Sequence, residues 1–65
     1  MIVYTADFVN TLDAIAAVRY LQNAGFQAGY HERVDRWVNV YLEDERDYTE
    51  AEAVLDKHFI NWDWL

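Results

Sequence analysis

The sequence predicts an α+β fold of βαββα order, with a three-stranded sheet carrying both helices on one face. Three observations predict it. Residues 36–42, Arg-Trp-Val-Asn-Val-Tyr-Leu, alternate strictly, with Val38, Val40 and Leu42 on one side and Trp37, Asn39 and Tyr41 on the other, which is the period of a pleated strand. Two other stretches, one following Asn10 and one following Asp47, repeat their apolar residues at helical spacing. Two further runs rich in β-branched and aromatic residues, at the start of the chain and after Gly25, read as strands.

In chain order, Ile2 to Ala6 is the first strand, with Ile2, Tyr4 and Ala6 on one face and Val3 and Thr5 on the other. Asn10 caps the first helix, Asp13 follows three residues on, and Ala14, Ile15, Ala17, Val18, Leu21 and Ala24 share one arc. Gly25 is its left-handed stop. Tyr20 falls on the solvated arc and is an anomaly there. Gln27 to Arg33 is the second strand. A three-residue turn over Val34-Asp35-Arg36 sets Ala28 and Tyr30 beside Val40 and Leu42 and sends His31 and Arg33 to the face of Trp37 and Tyr41; the even loop would bury charge in a small core. Glu43 to Arg46 reads as an acidic connector, and the second helix opens at Asp47 with Glu50 or at Thr49 with Glu52. Its inward arc holds Ala51, Val54, Leu55, His58 and Phe59. Residues 60–65 form an aromatic tail, read either as a fourth edge strand beside the first or as an arm laying Trp62 and Trp64 on the open sheet face. A right-handed crossover makes the first two strands parallel, with the third between them. With the tail as a strand, the order becomes a ferredoxin-like βαββαβ.

The 65 residues make one domain near the lower size limit for an unaided core. The apolar share of 54% and aromatic share of 17% belong to a chain that packs. The apolar runs are far too short to span a bilayer and no leader precedes them, which, with the absence of cysteine, predicts a soluble cytoplasmic protein with no membrane partner. The net charge of −7 is uneven: four acids face three arginines in residues 1–42, whereas eight face only Arg46 and Lys57 in residues 43–65. Such a surface repels phosphate backbones and draws basic proteins.

Three parts of the chain, Ile2-Val3-Tyr4-Thr5-Ala6, Leu21 through Gly25 to Ala28, and Trp37 to Leu42 leading to the Ala51–Leu55 helix, resemble a family of short bacterial signal-transducing proteins. They are similar also to the cytoplasmic N-terminal domain of bacterial rhomboid proteases. The resemblance covers residues 1–59 and implies a ferredoxin-like domain with a binding or regulatory role and no chemistry of its own. It assigns no functional residue.

No catalytic or cofactor motif is present. Glu43, Glu45 and Asp47 mimic the start of a calcium loop, but Tyr48 stands where glycine is required and Val54 where the bidentate glutamate belongs. His31 and His58 lack the spacing of a metal pair, and no glycine-rich phosphate loop or nucleophile elbow occurs. The expectation is a non-enzymatic module without cofactor, which binds a protein partner, a basic one or a second copy in a homodimer. Its contact residues are His31, Trp37, Tyr41, Trp62 and Trp64, assisted by the acids Glu43, Asp44, Glu45, Asp47, Glu50, Glu52 and Asp56. The rival expectation is an acidic inhibitor of a nucleic-acid-handling protein, such as one encoded by a phage, whose carboxylates stand in for phosphates.

Overall fold

The computed structural model describes residues 1–65. The elements run β1 (Ile2–Phe8), α1 (Thr11–Asn23), β2 (Gln27–Tyr30), β3 (Trp37–Leu42), α2 (Glu45–His58) and β4 (Trp62–Trp64). The four strands form one sheet in the order β2-β3-β1-β4, and every neighbouring pair is antiparallel. The expected three-stranded sheet is therefore corrected to four, because the aromatic tail pairs with β1: Ala6 faces Trp64 and Phe8 faces Trp62.

Local signals set α1 where expected. The Asn10 side chain accepts from the Asp13 amide at 2.8 Å, which satisfies one of the orphan donors of the first turn. Gly25 closes the helix at φ +95°, a conformation that costs a residue with a Cβ. Ala14, Ala17, Val18 and Leu21 are buried, whereas Ile15 and Ala24, expected inside, are exposed at the ends of the arc.

Two boundaries differ from expectation. β2 stops at Tyr30 instead of reaching Arg33, because the His31 ring turns back as a local cap: its Nδ1 accepts from the amides of Arg33 and Val34 at 3.1 and 3.2 Å. The connection runs from His31 to Arg36, six residues instead of three; Ala28 faces Val40 and Tyr30 faces Val38, a slip of two that keeps Ala28, Tyr30 and His31 on their expected faces but leaves Arg33 off the sheet. The second helix begins at Glu45 and not at Asp47 or Thr49. Asp44 is its cap, accepting from the Arg46 amide at 2.8 Å while the Arg46 guanidinium closes on the same carboxylate at 3.2 Å. What read as an acidic connector is the first turn of α2. The early start also brings Tyr48 onto the helix, where its ring packs on those of Tyr4 and Trp64 at 4.8 and 5.1 Å.

Val38, Val40 and Leu42 of β3, Ala6 and Phe8 of β1 and Ala28 of β2 share one face with the buried sides of both helices. The core holds twelve residues, all apolar, and its largest fully buried side chains are Leu21, Leu42, Leu55, Val38 and Val40. A row of rings closes the flank between α2 and the sheet: Trp62 stacks on Phe8 at 6.3 Å, Phe8 meets Phe59 at 5.2 Å, and Phe59 meets Tyr20 at 6.0 Å. Tyr20 lies flat on His58 at 3.6 Å, which accounts for an aromatic on the outer arc of α1. His58, expected on the inward arc, is exposed beyond this stack.

Candidate functional site

The second sheet face carries neither helix. Register places its residues in rows: Gln27, Tyr41 and Val3; then Gly29, Asn39 and Thr5; then His31, Trp37, Asp7 and Asp63. Every one of these residues is half-buried or exposed, and Val3 is 52% exposed. Trp37 and Tyr41, four positions apart on β3, stand about 13 Å from one another at the strand rise. Between them lie only small or polar groups, and the Thr5 hydroxyl donates to Asn39 Oδ1 at 3.0 Å. Gly29 leaves its place empty, since a Cβ there would meet nothing within 4 Å.

The Trp37 end is built more elaborately. The His31 ring meets the indole edge-on at 5.1 Å, held there by the two amides that its Nδ1 accepts. The indole N–H of Trp37 is shielded from water and has no acceptor. Buried tryptophan N–H groups are ordinarily paired, and an unpaired one costs about 1–3 kcal/mol. Asp7 and Asp63 face each other across β1 and β4, an unfavourable like-charge pair that Arg36 relieves on one side by binding Asp7 at 3.2 Å. At the Tyr41 end a cleft of about 570 Å³ opens between the end of α1 and the start of α2, lined by Tyr41, Glu43, Asp47 and Glu50 with no lysine or arginine.

The structure separates the aromatic residues that the sequence groups together. His31, Trp37 and Tyr41 share the open face, whereas Trp62 and Trp64 point to the helix side. There the Trp62 indole donates to Asp56 Oδ1 at 2.9 Å and the Trp64 indole to Glu52 Oε2 at 3.0 Å. The arm laid across the open face is thus replaced by a strand whose rings seal the core, and two of the expected contact acids are acceptors for those rings. Asp44 is a helix cap, and the Arg46 amide and then its guanidinium hold its carboxyl below the ordinary carboxylate value. The side chains of Glu43, Glu45, Asp47 and Glu50 make no hydrogen bond or ion pair within the fold. The Tyr48 hydroxyl is pushed up from its ordinary value, first by desolvation and then by the Glu52 carboxylate.

Both sheet edges are blunted. On β2 the Ala28 carbonyl accepts from the Gln22 side chain at 3.1 Å, and on β4 the Trp64 amide donates to the Asp63 carboxylate at 2.8 Å. Each edge thus has one backbone group occupied by a side chain, and both edge strands are short, four and three residues. Sequence reasoning placed Asn39 on this face but missed Val3, Thr5, Asp7, Gly29 and Asp63 as its members. Alternation marks Val3, Thr5 and Asp7 as cofacial within β1, but only the pairing of β1 with β3 and β4 brings them beside Trp37 and Tyr41. Comparison with protein-family models, with curated proteins and with solved structures returns no match.

Proposed function

We propose that this chain is a non-enzymatic interaction module of ferredoxin-like fold, which binds a protein partner through the open face of Trp37, Tyr41 and His31. The observation that carries the reading is a sheet face bearing two large rings that no element covers, one of them with an unpaired indole N–H. That N–H is shielded from solvent, so what the face offers a partner is ring surface, and interfaces are enriched in tryptophan and tyrosine. The βαββαβ order with sheet order β2-β3-β1-β4 supports the ferredoxin-like assignment. Glu43, Glu45, Asp47 and Glu50 steer a basic partner toward the Tyr41 end. A regulatory role in the cytoplasm fits the resemblance to small signal-transducing domains, and no helix is long and apolar enough to cross a membrane.

A second copy is a poorer partner than a basic protein, since each chain brings a charge of −7 and the same acidic rim. The phosphate-surrogate reading is weakened as well, because Asp44, Glu52 and Asp56 are engaged within the fold. The test is affinity capture from lysate of the source organism on the native chain, on the Trp37→Ala/Tyr41→Ala double variant and on Trp62→Phe. A protein retained by the native chain and by Trp62→Phe but lost from the double variant supports the reading. Equal retention by all three defeats it.

A further inference from the structure

We infer that the open face seats an extended, lysine- or arginine-bearing segment of the partner, laid across Gly29, Asn39 and Thr5 between the rings of Trp37 and Tyr41. The inference rests on the reading of this face as the contact surface, and it adds the chemistry of the occupant. Charge complementarity carries it. No strand residue of the face is a lysine or arginine, and Arg36, just ahead of β3, is committed to Asp7 at 3.2 Å. Arg33 belongs to the loop beyond His31 and not to the sheet. Carboxylates without a cationic partner stand at both ends, Asp63 beside Trp37 and Glu43, Asp47 and Glu50 in the cleft beside Tyr41. The rings offer negative π faces to the same cations.

Shape agrees with charge. The gap of about 13 Å between the rings is the length of roughly four extended residues, so alternate side chains of one segment reach both ends. Gly29 and the mutually bonded Thr5 and Asn39 keep the floor low between them. Laid across the face and not along an edge, the segment meets side chains and no free backbone ladder, so its own side chains supply the recognition. A second copy would set carboxylate against carboxylate.

Gly29 gives a clean test. Its φ is not in the left-handed region and a Cβ there meets nothing within 4 Å, so Gly29→Ile raises the floor with an uncharged side chain that adds no ring. Amide NMR spectra of the native chain are recorded against capped peptides of alternating Arg-Ala and of alternating Glu-Ala, at an ionic strength of about 0.1 M. The expected result is binding of the Arg peptide at roughly 0.1–1 mM, the range of a few solvated ion pairs and ring contacts. Shifts centre on Thr5, Gly29, Asn39 and Tyr41, and Gly29→Ile weakens the affinity roughly tenfold, about the loss of one good contact. The Glu peptide leaves the spectrum unchanged. Shifts confined to α2, undiminished binding by Gly29→Ile, or no response to the Arg peptide would each overturn the inference. If the captured protein still depends on Trp37 and Tyr41 in that event, the face remains the contact surface and only its cationic occupant is refuted.

Discussion

Replacing Trp64 by alanine separates the two roles that tryptophan plays in this chain. Trp64 is half-buried, its ring lies 5.7, 5.1 and 4.9 Å from those of Tyr4, Tyr48 and Trp62, and its N–H is bound to Glu52. Burying roughly half of an indole removes on the order of 100 Å² from water, worth about 2.5 kcal/mol, and the ring pairs add several tenths each. Trp64→Ala should therefore cost about 2–4 kcal/mol. A domain of this size has about 3–10 kcal/mol in total, so most of its stability is at stake. Trp37 is half-buried as well, but Trp37→Ala also removes a buried donor without an acceptor, worth about 1–3 kcal/mol, so it should cost about 1–3 kcal/mol less than Trp64→Ala. Urea titration followed by far-UV circular dichroism reads both from the shift in midpoint at constant slope. If the two variants lose equal stability, or Trp37→Ala loses more, the division into a structural tail and an available face is wrong.

Other perturbations have definite signs. Gly25→Ala forces a Cβ into the left-handed region and should lower stability by about 1–2 kcal/mol, while Gly29→Ala should change it by less than about 0.5 kcal/mol; thermal unfolding distinguishes them. Because the Asp44 carboxyl is held below its ordinary value, its stabilising contribution is present above the unfolded value and disappears as pH falls through the folded one. Asp44→Asn should therefore flatten the loss of stability measured below about pH 4. Tyr48 titrates in the opposite sense: its raised value favours the neutral form in the fold, so stability should drop as pH climbs past about 10, and Tyr48→Phe should remove that part of the drop.

How much was legible in the sequence follows the range of each interaction. The Asn10 cap, the Gly25 stop and the alternation of β3 are decided within a few residues, and each stands where local chemistry puts it. The sequence places the start of α2 too late because Asp47 and Thr49 each have a glutamate three residues on, whereas Asp44 reads as part of a connector; the pairing of Arg46 with Asp44 and the packing of Tyr48 on Tyr4 accompany the earlier start. The β2 register depended on a loop whose length is set by His31 folding back on Arg33 and Val34, which no turn signature announces. For the candidate site, His31, Trp37 and Tyr41 were visible from alternation and the parity of one loop. The side taken by Trp62 and Trp64 was not, because it depends on the pairing of β4 with β1 across more than fifty residues of chain.

The central claim is that one tryptophan meets the partner while two hold the fold. It is tested most directly by the indole N–H signals of the three tryptophans in the proton–nitrogen spectrum, recorded as the captured partner is added. The account predicts that the Trp37 signal moves or broadens while those of Trp62 and Trp64, anchored to Asp56 and Glu52, stay in place. Movement of the two tail signals with Trp37 unmoved would contradict it.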